Sequence, residues 1–530
     1  MKGLNFYVQK PIEPSAPNRM DIACFVGLVD FRDGKLPPEI HKWLFQQGWL
    51  DSLDGFTATY HRESAKTLLD VPVPVESWES FQDLFAWDER QLTASGIKGA
   101  TYLGAAVRSF FAQGGRKCYV VRVGSPVTLN ATTIERDQLI AKIIPGFPGV
   151  VNASKTDRTS WRGIGHLFGL SDVSYLSMPD LPDLVHSDQS RIATEIPHLP
   201  ELPEQFVECS EPVAPEPPDN LVATIPAPRT NEAGYTKWRN AIFRVVEFIA
   251  QHRREVQLVA GIPLPDSSTH AVNSLLEYMH LKQWLKGSVE TETNSSISST
   301  FVQLCYPWLK TAGSRYLPEL LEVPEGALAG LLARNALRQG AYRSVTNLLQ
   351  TDVTDIFPML RQDQMYAATN IALSDASPDA GLIDRVSLFG FTPDGIKLLS
   401  DVTTSNVTNH RPASINRIIA LVVRAARRAG EEYVFENNGE SLWADIRQRL
   451  NELLLTLYNL GALRGKQPED AFFVRCDRST MTQNDIDSGR VIAEMHIEPA
   501  ASIESIDIYL AMNQGGQVTL TALGIGDAVA

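Results

Sequence analysis

Four groups of residues in this 530-residue chain have the types and spacing that could support chemistry. The stretch GIGHLFG (163–169) is glycine-rich, but its glycines miss the spacing of a dinucleotide loop and it lies within a helical run, so packing is expected there. In NDIDSG (484–489), alternating carboxylates could converge on one cation. The glycine is out of register, however, and His496 stands where a bidentate glutamate should be, so a polar turn is expected. Cys24, Cys118, Cys209, Cys305 and Cys476 are too widely separated for a zinc site, and all but Cys209 sit in apolar runs where a thiol packs as a small hydrophobe. The ten histidines are scattered. No phosphate loop, zinc helix or nucleophile elbow is written anywhere. No catalytic, cofactor-binding or metal-ligating residue is therefore assigned. Triad members can lie far apart in sequence, so an α/β enzyme with an added interaction domain stays as an alternative.

The elements that would position any site alternate. IACFVGLV (22–29) is a continuous apolar run, the signature of a strand buried on both faces; KCYVVRV (117–123) and VQLVAGIP (256–263) read as further buried strands, and VSYLSM (173–178) is strand-like. Between them, residues 102–115 and 235–254 read as helices. This rhythm predicts an α/β layered domain with a largely parallel sheet. Insertions are expected at about 30–75, 125–157 and 186–230, the last rich in Pro and Glu. Further on, SINRIIALVVRAARRA (414–429) is a helix carrying Arg417, Arg424, Arg427 and Arg428, which read as a solvated face or as a contact to another subunit. Residues 441–465 form a helix with one apolar stripe, and AFFVRC (471–476) and RVIAEMHI (490–497) are strands around a polar turn.

Two short alternating strands stand at the chain ends without an evident partner. One carries Leu4, Phe6 and Val8, the other Ile506, Ile508 and Leu510. A net charge of −14 argues against nucleic acid as a main partner, and no apolar run approaches the ~18 residues that span a bilayer, so direct membrane insertion is not expected. The N-terminal MKGLNFYVQKPIEP lacks an export-type apolar region, so cytoplasmic assembly is expected.

Residues 435–497 resemble the C-terminal domain of contractile tail sheath proteins, the outer sleeve of myophage tails, R-type pyocins and extracellular contractile injection systems. The resemblance rests on Val434-Phe435-Glu436-Asn437-Asn438, LWADIRQRLNELLLTLYNLGALRG, AFFVRCDRSTMTQNDIDSGR and the final SIDIYL. Upstream, residues 102–123, VSYLSMPDL (173–181), CYPWLK (305–310) and residues 323–344 look like further sheath segments. The family's "PPSG" is Val323-Pro324-Glu325-Gly326 here, its Asp after "AR" is missing at Asn335-Ala336, and FGFTPDG (389–395) only loosely matches its "GART" stretch. The residues after the last strand have no counterpart in the family pattern.

The resemblance implies an α/β fold in which a mixed α+β inner domain is built from both chain ends and an outer α/β domain is inserted between them. The expected division is an arm at 1–21, an outer domain at 22–345, an inner domain at 346–500 and an arm at 501–530. It implies that the arms are lent to neighbours, with Phe472, Val474, Val491, Ala493 and Met495 on the accepting strands. Arg475, Arg478, Asp485, Asp487 and Arg490 are candidates to face an inner tube. The implied function is a non-enzymatic subunit without cofactors that polymerises helically, in stacked hexameric rings, and contracts to drive the tube through a target envelope. Its implied partners are itself, the tube protein, baseplate and cap proteins and sheath paralogues. A tube or baseplate component of the same machine is the nearer alternative.

Overall fold

The structure is a computed structural model that describes residues 19–32, 36–49, 67–93, 96–188, 221–286, 296–367, 381–432, 438–500, 506–512 and 518–523. Leu4, Phe6 and Val8 lie outside the described residues, as do most of the expected insertion at 186–230 and part of that at 30–75.

Eight strands form the main sheet: β1 (Ala23–Leu28), β2 (Pro72–Val75), β3 (Cys118–Gly124), β4 (Tyr175–Ser177), β5 (Gln257–Gly261), β6 (Val302–Tyr306), β7 (Ser387–Thr392) and β8 (Gly395–Leu398). Their order is β8-β7-β6-β5-β4-β1-β3-β2. The central six are parallel, and β8 and β2 close the two edges antiparallel. Each residue of β1, β3, β5 and β6 is buried, as strands covered on both faces must be. Edge strand β2 reads Pro-Val-Pro-Val. Proline has no N–H to donate to a further strand, so it is tolerated at an edge and discourages continuation.

Helices α1 (Tyr102–Ala112), α2 (Thr133–Ile143), α3 (Glu232–His252) and α4 (Glu325–Arg338) cover this sheet. Thr101 caps α1 by accepting from Gly104 N at 3.1 Å, and Asn231 caps α3 by accepting from Gly234 N at 3.0 Å. Helices α1 and α4 cross closely because Gly326 and Gly330 present no Cβ. A Cβ on Gly326 would sit 2.1 Å from Ala106 O. Gly326→Val is therefore expected to push the helices apart and cost about 1–3 kcal/mol, read as a lower denaturation midpoint at unchanged slope.

The structure revises three expectations about organisation. Residues 125–157 are not a surface excursion throughout, because α2 buries Leu139, Ile140 and Ile143 in the main core. The segment at 30–75 ends in edge strand β2, whose Val73 and Val75 are core residues. The expected boundary at 345/346 also moves. Val345, Ile356, Leu388, Phe389, Ile396 and Leu398 all pack in the main core, and the second core begins at Ile415. Parallel pairing of β7 with β6 draws that segment into the sheet.

The second core lies between α5 (Ala413–Glu432), α6 (Glu440–Asn459) and a four-stranded antiparallel sheet. That sheet is β9 (Phe472–Arg475), β10 (Val491–Ile497), β11 (Ile506–Met512) and β12 (Val518–Leu523), in chain order. The apolar stripe of α6 is buried as its spacing predicts, at Trp443, Ile446, Leu450, Leu454 and Leu457.

Candidate functional site

The four-stranded sheet is the first place to look, because unpaired strands assemble proteins. Strand β10 alternates strictly, with Val491, Ala493, Met495 and Ile497 buried on the core face. Phe472 joins them on that face, and Val474 is half-buried. The expected accepting positions are therefore brought together on one face.

The expected donor behaves differently. In a single chain, β11 pairs antiparallel with β10 from Val491↔Met512 to Ile497↔Ile506, and Leu510 is buried opposite Ala493. Ile506 and Ile508 occupy this ladder as well. The strand read as unpartnered thus has a partner in its own chain. Strand β12 then pairs with β11 from Met512↔Val518 to Asp507↔Leu523, which gives the residues beyond the expected last strand a place.

The polar turn at 477–489 contains a short helix, Gln483–Asp487, capped by Thr482. Asp485 closes that cap by accepting from Thr482 N at 2.9 Å and Thr482 Oγ1 at 2.6 Å, and these bonds hold its carboxyl below the usual range. Arg490 reaches Asp485 at 3.5 Å, Arg478 donates to Gln483 at 2.6 Å, and Asp487 accepts from Gln483 at 2.7 Å. Arg475 lies 3.5 Å from Glu494 across the β9–β10 pair. The five candidate tube-facing residues thus cluster around one turn and its adjoining strands. Among the described residues, no group of His, Cys, Asp or Glu could hold a metal ion.

Sequence reasoning missed a second site, the seam between the two cores. Arg417, Arg424 and Arg427 of α5 are not a solvated face, whereas Arg428 is exposed. Arg417 is buried and makes two hydrogen bonds to Asp401, at 2.6 and 3.1 Å, and it also donates to Ala341 O at 2.8 Å and Arg343 O at 3.2 Å. Asp401 further accepts from Gln303 at 2.9 Å and Val345 N at 3.0 Å. Burial opposes its charge, yet Arg417 holds the Asp401 carboxyl below its ordinary value. One turn pair along, Arg424 donates to the carbonyls of Val173 at 2.7 Å and Asp172 at 3.1 Å, and to that of Arg19. Burial lowers the Arg424 guanidinium to about 10. Arg427 meets Glu255, which also accepts from Arg253 at 2.8 Å. The available signal was the seven-residue step from Arg417 to Arg424, which places both on the helix face that carries buried apolar neighbours.

A third set of buried acids occupies the carboxyl ends of the parallel strands, where open α/β sheets usually bind ligands. Asp180 accepts from Leu28 N at 2.7 Å and Leu103 N at 3.3 Å, in space left by Gly27. Glu325, at the start of α4, accepts from Gly261 N at 2.7 Å, Met178 N at 3.0 Å and the Ser177 hydroxyl. The chain's own carboxyl groups thus take the backbone N–H groups of that crevice. Burial pushes Asp180 and Glu325 up to about 7, against hydrogen bonds that favour the ionised forms, and raises Glu322 to about 8. An acid whose pKa rises on folding stabilises the fold at low pH, and that contribution is lost as pH climbs from about 4 through the folded value. Stability is therefore expected to fall between about pH 4 and 8, on the order of 3–5 kcal/mol per group at most. Glu325→Gln should flatten this slope in a pH series of urea midpoints. An unchanged slope would remove Glu325 as its source.

Residues 411–513 match the family model of the phage tail sheath C-terminal domain. Among solved structures, a chain of the anti-feeding prophage baseplate in the contracted state superposes with a TM-score of 0.55 at 17% identity, covering 95% of this chain and 96% of that one. A chain of the anti-feeding prophage helical sheath in the contracted state gives 0.51 at 16% identity, covering 95% and 97%. At these identities the likeness is one of fold. No curated protein matches the sequence. The C-terminal unit described above is similar to the phage tail sheath C-terminal domain, and the described chain shares the fold of these two chains.

Proposed function

We propose that this chain is a structural subunit of a contractile sheath, which polymerises helically around an inner tube and shortens to drive it through a target envelope. The observation that carries this reading is the sheath domain at 411–513 joined to a sheath-like α/β body. A sleeve needs a heterologous interface that does not close on itself, and strands shared between neighbours supply one. Energy would be stored in differences between subunit packings, so no nucleotide or cofactor is required. The carboxyl-filled strand ends support a non-enzymatic role. No helix among the described residues is long and apolar enough to cross a membrane. Assembly in the cytoplasm, with tube, baseplate and cap proteins as partners, belongs to the same proposal.

Negative-stain imaging of the purified chain should show sleeves; monomers would overturn the reading. The likeness to a baseplate chain favours one second reading, a baseplate-proximal place in the same machine, which would give closed rings instead. For the tube contact, reversing charge at Arg475, Arg478 and Arg490 together should reduce tube co-sedimentation several-fold at low salt and less at high salt, as exposed charges are screened. Unchanged co-sedimentation would remove these residues from the tube face.

A further inference from the structure

Among the described residues, the C-terminal sheet already has four strands from one chain. Strand β11 pairs on one side with β10 and on the other with β12, so both its edges are occupied before any second subunit arrives. Strand β12 lies outside the matched sheath domain, which ends at residue 513, and it is linked to β11 through residues 513–517, which include Gly515-Gly516. The connection from β10 is tied down as far as Ala500. Glu498 N donates to Ala471 O at 2.8 Å and Ala500 N to Ala462 O at 2.9 Å. Residues 501–505 then allow a span of at most about 20 Å.

We propose that the unit exchanged between neighbouring copies is the β11–β12 hairpin, not β11 alone, and that its pairing onto β10 of its own chain is the stored form of the free subunit. This rests on the sheath reading above. A lone strand in transit would leave the backbone groups on both its edges unpaired. The hairpin keeps one edge of β11 bonded to β12 throughout, so only the β10–β11 ladder need be remade on the neighbour. That ladder has the same register in either chain, so closed and exchanged forms differ little in energy. The short reach of 501–505 restricts the acceptor to an adjacent copy. In the free subunit the hairpin also lies against α5, which shields it until a neighbour is in place.

Two disulfide locks separate the possibilities. Ile492 faces Ala511 across β10–β11, and Ala511 faces Thr519 across β11–β12. Opposed antiparallel residues lie within disulfide range. The full chain is prepared as Ile492→Cys/Ala511→Cys or as Ala511→Cys/Thr519→Cys, oxidised as monomer and imaged for sleeves, with the reduced form of each as control. The expected result is that the first lock abolishes sleeves, that reduction restores them, and that the second lock assembles as its reduced form does. If both locks block assembly, β11 must peel from β12 and the hairpin unit is wrong. If the first lock has no effect, exchange itself is wrong. Absence of sleeves from the unmodified chain would overturn the underlying sheath reading, and this proposal with it.

Discussion

Asp401→Ala is expected to destabilise the protein by about 3–5 kcal/mol, the largest single-residue effect foreseen here. The substitution leaves the Arg417 guanidinium buried without its counter-charge, and it deprives Val345 N of its acceptor and Gln303 of one of its two, the other being the Ser387 hydroxyl. Desolvation is costly for a charge that has lost its partner, whereas the intact pair and its hydrogen bonds offset it. The loss should appear in urea unfolding as a lower midpoint. Arg417→Met combined with Asp401→Leu should recover part of it, because removing both charges removes the burial penalty as well. A single variant within about 0.5 kcal/mol of the parent would show that the pair does not hold α5 to the α/β body. The pair joins the strand-rich main core to the first helix of the C-terminal unit, so under the proposed function loosening it is also expected to impair sleeves when the variant is still folded.

Removing residues 501–530 is expected to abolish sleeves while leaving a folded subunit. The α5–α6 core and the β9–β10 pair do not depend on the hairpin for most of their buried residues, although Leu510 is lost from that core. Strand β10 would become an open edge without a strand to donate, so chains could no longer be linked through it. Circular dichroism should report near-parental helix content, and negative staining should report no sleeves. Normal sleeves from this truncation would exclude strand sharing at the C-terminal end. At the other end the corresponding cut should stop at residue 18. Met20 packs with Ala341 and Ala420, and the Arg19 carbonyl accepts from Arg424, so a longer deletion would damage the seam as well as any arm.

Patterns with a strong local cause were legible without coordinates. The segments at 22–29, 117–123, 173–178 and 256–263 became buried parallel strands, because burial on both faces favours such predominantly apolar segments. The stripe of α6 and the alternation of β10 did the same for the C-terminal unit. Helix α2 was misread as part of an insertion because its apolar residues are few and the charged Arg136 sits on its buried face. The segment ending in β8 was assigned to the wrong core because β7 joins β6 over only Cys305↔Ser387 and Tyr306↔Leu388, and nothing local says which sheet a strand will join.

The candidate sites divide along the same line. By itself the sequence determined the element types, the absence of familiar catalytic motifs and the wording of a sheath domain near the C-terminus. Each of these follows from residue type and spacing within one segment. Only the tertiary structure decided that Arg417 and Arg424 hold a seam, that Asp180 and Glu325 fill the strand ends, and that the final strands close on their own chain. A charged residue on a helix has the same local pattern whether it faces water or a carboxylate 16 or 172 residues away. Likewise a strand's choice of partner is a contest between edges of similar register, which the fold settles by bringing one of them within reach.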